Sequence, residues 1–197
     1  MEYISRIKEI LKEQNGTLLS LELDKEKIPR TYLSMMVAEG DVERVGRGSY
    51  VSADSIEDMM YILQQKYPNI VYSHETALFF HDLTDRTPLK YSVTVPSGYK
   101  VVKALSDKSK IYYIKKDLHQ MGTVERATSF GNPVKVYNIE RTICDILRSR
   151  NRIDPQILTD ALKMVVQIEK LNYPLLSEYA KKLKVDKILS MYLEVLL

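Results

Sequence analysis

Ile28-Pro29-Arg30-Thr31-Tyr32-Leu33-Ser34-Met35-Met36-Val37-Ala38-Glu39-Gly40-Asp41-Val42-Glu43-Arg44-Val45-Gly46-Arg47-Gly48-Ser49-Tyr50-Val51 decides how the N-terminal part of the chain is read. Pro29 carries the fixed φ that suits a first helical residue. Tyr32, Leu33, Met36 and Val37 then recur on one helical face, and Gly40 supplies a C-terminal stop. Val42–Val45 and Ser49–Val51 are short β-prone runs around Gly46-Arg47-Gly48, the pattern of a hairpin. Working outward, Ile4, Ile7, Ile10 and Leu11 predict a helix over 2–14, halted by Asn15-Gly16. Thr17–Leu19 is short and extended, and Ser20 can cap a helix over 20–25. Helix, short helix, helix, hairpin is the order of a winged helix-turn-helix over residues 1–52.

That order has a chemical consequence. A helix of this kind fits the major groove, and the residues of its first turn face base edges. Here that turn offers Arg30, Thr31 and Ser34, one guanidinium and two hydroxyls that bond bases or phosphates. The Tyr32 hydroxyl could reach phosphate, but its apolar spacing suits a core role at least as well. The hairpin carries Arg44 and Arg47, the latter between glycines that let backbone approach a duplex. Lys25 and Lys27 fall beside the turn, where phosphates would lie. A Gly-Arg-Gly tip is also found in ordinary tight turns, and helix-turn-helix shapes also serve protein contacts.

Downstream the pattern changes. An acidic connector at 53–58 leads into a helix predicted over 55–66, and Ser73 can cap a helix over 74–81 with Ala77, Leu78 and Phe80 inward. Strands are predicted over 91–95 and 110–114 and near 123–129 and 134–137. From Asn138 the periodicity is helical. Asn138 and Asp154 are cap candidates, Pro155 sits at a first helical position, and 175–197 reads as two short amphipathic helices. The fold class is therefore α+β: a winged helix-turn-helix at 1–52, then a mixed α/β domain at 55–197 that ends in helices.

Composition bounds the function. The chain has 197 residues, 45% apolar and 28% charged, with a net charge of +3. This is an ordinary globular composition, not a disordered or fibrous one. A single cysteine, Cys144, excludes an intrachain disulfide and a multi-cysteine zinc site, and fits a reducing cytoplasm. The N-terminus lacks the apolar core of a signal peptide, and no run is long enough to span a bilayer. Neither a membrane nor a cofactor is expected. The small net charge hides an uneven distribution. Residues 1–52 hold 8 basic and 9 acidic residues, and 53–85 hold only Lys66 against six acids. Residues 86–116 hold Arg86, Lys90, Lys100, Lys103, Lys108, Lys110, Lys115 and Lys116 against Asp107 alone. Tyr91, Tyr99, Tyr112 and Tyr113 are interleaved with them, so this segment is a candidate second basic surface for a nucleic acid or an acidic partner.

Catalytic signatures are missing: no Walker loop, no HExxH, no Gly-x-Ser-x-Gly elbow. His74 and His81 are two helical turns apart, too far for one compact metal site, and read with His119 as ordinary histidines. A nuclease would need carboxylates on a strand to hold a divalent metal. Tyr91–Val95 has none, and Asp82 and Asp85 precede it. Arg141 and Asp145 are spaced i,i+4 and Asp145 and Arg148 i,i+3, on a helix whose Ile139, Ile143, Ile146 and Leu147 face inward. They predict a polar cluster that orients this helix, with Cys144 as a small buried hydrophobe.

Val45-Gly-Arg-Gly-Ser-Tyr-Val51, Ser73-His-Glu-Thr-Ala-Leu78, His81-Asp-Leu83, Val93-Thr-Val-Pro96 and Glu140-Arg-Thr-Ile-Cys-Asp145 occur in this order. Together they resemble the AbiEi antitoxins of type IV toxin–antitoxin, or abortive-infection, systems, over nearly the whole chain. The resemblance implies an N-terminal winged helix and a C-terminal antitoxin domain, in a protein that is not an enzyme. It implies autorepression of a two-gene operon through inverted repeats in promoter DNA. The implied functional partner is a nucleotidyltransferase-like toxin, countered without a required complex. Arg30, Thr31, Arg44 and Arg47 become the implied DNA contacts, and Ser73–Leu78 and Glu140–Asp145 parts of the antitoxin domain. A metal-dependent nuclease and a protein-binding helix-turn-helix are the alternatives.

Overall fold

The computed structural model of the chain describes residues 2–168 and 171–196, so Leu197 of the predicted tail lies outside the described residues. Two compact units form, Met1–Tyr67 with Ala127–Val134 and Pro68–Arg126 with Lys135–Leu197. The first unit runs past the acidic connector at 53–58 to include a further helix, together with residues 127–134, which hold the end of one strand, a loop and the start of the next.

The first unit begins with α1 (Glu2–Glu13), β1 (Thr17–Leu19), α2 (Ser20–Lys25) and α3 (Arg30–Glu39). It continues with β2 (Val42–Gly46), β3 (Ser49–Ser52) and α4 (Met59–Lys66). Ile7, Ile10 and Leu11 of α1 meet Leu18, Leu23, Leu33, Met36 and Val42 in one apolar core. Burial of such side chains contributes about 1.5–3 kcal/mol each before the entropy of ordering is counted. α1 ends as predicted: Asn15 and Gly16 are left-handed, and Gly16 N–H donates to the Leu11 carbonyl at 2.7 Å. β1 pairs antiparallel with β3, which pairs antiparallel with β2, giving the sheet order β1-β3-β2. This is a winged helix-turn-helix.

Several local expectations shift. Leu19, not Ser20, is the N-cap of α2, and Glu22 reaches back to accept from Leu19 N–H at 2.8 Å. Pro29 is the N-cap of α3 rather than its first residue. Val37 is 37% exposed and not part of the core, because Leu33 and Met36 fill the buried stripe. The helix predicted over 55–66 starts at Met59, where Asp58 accepts from Tyr61 N–H at 3.0 Å. The other Asp58 oxygen accepts from Thr128 Oγ1 and Asn132 Nδ2, which ties 127–134 to this unit.

The second unit is built on a five-stranded sheet in the order β6-β5-β4-β8-β7. Its strands are β4 (Val71–Tyr72), β5 (Tyr91–Pro96), β6 (Ser109–Ile114), β7 (Thr123–Ala127) and β8 (Pro133–Tyr137). β5 and β6 run parallel, joined through α6 (Lys103–Ser106), and β4 lies antiparallel to β5 and parallel to β8. The remaining helices are α5 (His74–Phe80), α7 (Ile139–Arg148), α8 (Pro155–Val166), α9 (Tyr173–Leu183) and α10 (Asp186–Leu196). Asn138 and Asp154 cap α7 and α8 through Arg141 N–H and Gln156 N–H, as the sequence predicts. α7 is central and packs on α5, α8, α9 and α10. Leu78, Ile143, Cys144, Ile146, Leu147, Leu158, Leu162 and Leu176 belong to the core around it. β4 has no counterpart in the sequence reading, being two residues long and set by pairing on both sides rather than by alternation.

Candidate nucleic-acid interface

α3 presents a polar outer face because its apolar residues turn inward. Arg30, Thr31 and Ser34 are exposed along it. The connection into α3 is held by backbone bonds: Ile28 N–H donates to the Leu23 carbonyl at 2.8 Å, while Lys27 is left-handed. Lys25 and Lys27 are both exposed there. Arg30 is not idle: Nε and Nη2 donate to the two oxygens of Asp24 at 3.1 and 2.6 Å. This exposed pair raises the Arg30 pKa and lowers that of Asp24, chiefly through the shared hydrogen bond. It holds the guanidinium at the start of α3, and contact with a base or phosphate would require Asp24 to be exchanged for it. Ser34 Oγ lies 3.4 Å from the Arg30 carbonyl.

The wing is a β2–β3 hairpin with a register shift between Arg44 and Gly46. Gly48 adopts φ +76, where a Cβ would also sit 2.8 Å from Ser20 Oγ. Ser20 N–H donates to the Gly48 carbonyl at 2.9 Å, so the tip is tied to the start of α2. Arg44 is exposed and its Nε donates to the Gly46 carbonyl at 3.2 Å. Arg47 is exposed at the tip and, among the described residues, has no hydrogen-bond or ion-pair partner.

The near-neutral charge of residues 1–52 is resolved by location. Arg6 gathers Glu26, Glu9 and Glu13 at 2.7, 3.1 and 3.5 Å, and Lys8 pairs with Asp41 at 2.8 Å. Glu22 bonds Gln14 and Leu19 N–H. Most of the acids are thereby engaged with partners of their own, while Lys25, Lys27 and Arg47 have none among the described residues. Sequence reasoning missed Met35 and assigned Val37 to the inward face, yet both are exposed on α3, because helical spacing near a core stripe does not say which edge residue turns out.

The second basic segment occupies the β5–α6–β6 crossover, and β6 is an edge strand. Lys90, Lys100, Lys103, Lys108, Lys115 and Lys116 are exposed. Arg86 lies 3.9 Å from Asp154, and Lys110 Nζ donates to Glu75 Oε1 at 3.0 Å and to the Arg152 carbonyl at 2.8 Å.

The polar cluster on α7 is deeper than its pattern suggests. Arg141 and Asp145 are fully buried and paired at 3.0 Å. Arg141 Nη1 also donates to the Leu118 and Met121 carbonyls, and its guanidinium covers the Tyr137 ring at 4.3 Å. Arg148 Nη2 reaches Asp145 at 3.2 Å. Burial raises the Asp145 pKa against the pull of both arginines. Burial also pushes the Cys144 thiol up to about 12, which keeps it an inert hydrophobe.

His74 departs from the ordinary histidine expected. It is fully buried, has φ +48, and stacks on Tyr112 with centroids 3.4 Å apart. Ser73 makes no cap bond. Its Oγ instead lies 2.9 Å from His74 Nδ1 and accepts from Thr94 Oγ1 at 2.8 Å. His74 Nε2 lies 3.0 Å from Ser149 Oγ, which joins the 73–78 and 138–149 segments. Burial, then Arg148 and Lys110, lower its pKa well below the ordinary value. His81 and His119 bond the Tyr137 and Thr94 carbonyls through Nε2. Asp82 and Asp85 are exposed, and no three His, Cys, Asp or Glu side chains group to hold a metal ion among the described residues. Nor, among those residues, is any helix long and apolar enough to cross a membrane.

Residues 5–53 match the family described as transcriptional regulator, AbiEi antitoxin. The AbiEi match spans α1 through β3 and ends before α4, so it covers the winged helix. The crystal structure of the RV2827C protein from Mycobacterium tuberculosis aligns over 92% of this chain and 72% of its own. Its TM-score is 0.62 at 10% identity, which is a likeness of fold. No curated protein matches the chain.

Proposed function

We propose that this chain is the antitoxin of a type IV toxin–antitoxin, or abortive-infection, system, and that it binds promoter DNA to repress its own operon. The observation that carries the reading is the partnerless Arg47 on a glycine-flanked wing tip, beside a helix whose first turn exposes Arg30, Thr31 and Ser34. Arg47 enters a groove. Thr31, Ser34 and Arg30 read base edges, and exposed Met35 and Val37 offer apolar contact to thymine methyls. Lys25, Lys27 and Arg44 position the phosphates. The match of this segment to a regulator family supports the same reading. The operator is a pair of inverted repeats, and the second unit is the antitoxin domain, with Arg86, Lys90, Lys100, Lys103, Lys108, Lys110, Lys115 and Lys116 as a further contact surface. The functional partner is a nucleotidyltransferase-like toxin in the cytoplasm, and the chain performs no catalysis.

The test is a gel shift with the promoter of its own operon against scrambled DNA of equal length at physiological salt. Wild-type protein is expected to prefer the promoter, and Arg47→Ala to lose on the order of 10-fold or more in that binding, the scale of one specific side-chain contact. Equal affinity for both DNAs would refute sequence-specific repression. Growth rescue on co-expression with a nucleotidyltransferase encoded by the adjacent gene tests the antitoxin half.

A further inference from the structure

Two clefts open on the second unit and share a wall. One, of about 330 Å³, is lined by Tyr112, Tyr113, Arg148, Ser149, Asn151 and Arg152. The other, of about 310 Å³, shares Tyr113 and Arg148 and adds Ser97, Lys115, Lys182 and Lys184 to an apolar floor. No carboxylate lines either cleft among the described residues. The cations come from three stretches far apart in sequence: the end of β6, Arg148 to Arg152 at and just after the end of α7, and the end of α9. Two short basic runs, Arg148-Ser-Arg150-Asn-Arg152 and Lys181-Lys182-Leu183-Lys184, supply most of them, and the fold brings them together.

Charge here is unbalanced. Asp145 serves both Arg141 and Arg148, Glu75 serves Lys110, and Glu178 pairs with Lys182 at 2.6 Å, which leaves Lys115, Arg152 and Lys184 without an ion-pair partner among the described residues. Arg148 Nε is buried without a partner. Arg152 is exposed, lies over the Tyr112 ring at 4.6 Å and donates to the Ile111 carbonyl at 3.3 Å. Among the described residues it has no carboxylate. Tyr113 is 50% exposed between the two sets of cations. Behind Ser149 stands His74, held at a positive φ that a non-glycine residue adopts only when its surroundings enforce it. Thr94 donates to Ser73, Ser73 adjoins His74 Nδ1, and His74 Nε2 adjoins Ser149. With the His74 proton on Nε2, this chain leaves the Ser149 hydroxyl free to donate outward.

We infer that these clefts bind a nucleotide unit, its phosphate on Arg148, Arg152 and Ser149 and its base on the Tyr113 ring. Paired guanidiniums suit phosphate oxygens, and an exposed aromatic between cations is the platform on which an unpaired base stacks. A duplex, whose bases are already stacked, does not satisfy Tyr113. The unit comes either from a free mononucleotide or from a single strand, whose next phosphate lies on Lys115, Lys182 and Lys184.

Anisotropy of a labelled oligothymidylate of about 12 nucleotides, titrated with the full chain, tests this. Arg152→Ala and Tyr113→Ala are each expected to weaken binding about 10-fold. Lys184→Gly, at a left-handed helix end that glycine accepts, is expected to weaken it less. Lys163→Ala, an exposed lysine of α8 outside both clefts, is the charge control and should change little. Displacement of the strand by millimolar AMP identifies the mononucleotide source, and resistance to AMP identifies the strand. Either result upholds the site. Failure of wild-type protein to bind both probes overturns it, as does a Lys163→Ala loss equal to that of Arg152→Ala. Arg47→Ala should leave this binding intact, so failure of the wing reading and failure of this one are separately visible.

Discussion

At the scale of single residues, the second unit depends on charges that water does not reach. Arg141 and Asp145 are both 0% exposed, and their pairing offsets desolvation that neither could bear alone. Asp145→Asn is therefore expected to destabilise the chain by about 3–5 kcal/mol, the usual cost of stranding one member of a buried pair. Urea unfolding measures this, and a loss under ~1 kcal/mol would show that Tyr137 and the carbonyls of Leu118 and Met121 suffice for Arg141. The histidines set a pH dependence. In the fold His74, His81 and His119 all have pKa values lowered from 6.5, with burial the leading cause in each. Below pH 6.5 the unfolded chain takes up protons that the folded chain refuses. The stability these neutral histidines give is thus complete above 6.5 and lost as pH falls below it; for the fully buried His74 the loss reaches up to about 1.4 kcal/mol per pH unit. His74→Gln should flatten that slope between pH 6.5 and 5 by up to one such increment. Identical slopes for the two proteins would mean that His74 titrates normally.

At the scale of elements, the wing shows how backbone geometry reaches function. Gly48 combines a left-handed φ with a close approach to Ser20. Gly48→Ala is expected to cost about 1–2 kcal/mol of local stability and to shift the tip that carries Arg47. Promoter affinity should then fall by more than unfolding measurements account for. Losses matched to stability alone would show that the tip keeps its place. This element, like most of the fold, was legible in the sequence because punctuation and periodicity agree there. Gly40 and Gly16 end helices, Asn138 and Asp154 begin them, and Gly46-Arg47-Gly48 turns a hairpin. What was not legible depended on distant partners. The onset of α4 at Met59 is set by Asp58, whose second oxygen is held by Thr128 and Asn132. Ser73 has the pattern of a cap, but its hydroxyl instead serves its neighbour His74 and Thr94, which the pairing of β4 with β5 brings to it. Arg148 and Arg152 belong to one short basic run and Lys182 and Lys184 to another about thirty residues on, and only the folded chain brings the two runs together around Tyr113.

At the scale of the whole molecule, the DNA binding proposed above depends on how charge is distributed. A net charge of +3 supplies little general attraction, so that binding would rest on placed cations, and these lie in both units. In the first, Lys25, Lys27 and Arg47 are left unpaired among the described residues, while the acids around Arg6 and Lys8 are neutralised in place. In the second, Lys90, Lys100 and Lys103 are exposed around the β5–α6–β6 crossover. Each phosphate neutralised on duplex DNA contributes about 0.9 to the slope of log affinity against log salt. Lys25→Ala with Lys27→Ala should lower that slope by up to about 1.8 if both meet phosphates, and should do so on promoter and scrambled DNA alike, because phosphate contacts carry no sequence information. If the crossover meets the same duplex, Lys100→Ala with Lys103→Ala lowers the slope by a similar amount, and the quadruple variant shows the sum. A slope unchanged by the crossover substitutions, with the wing substitutions still effective, would confine duplex binding to the winged helix. The basic crossover would then be left for another polyanion. Titrations at several salt concentrations decide between these outcomes, which a single affinity at one ionic strength would not separate.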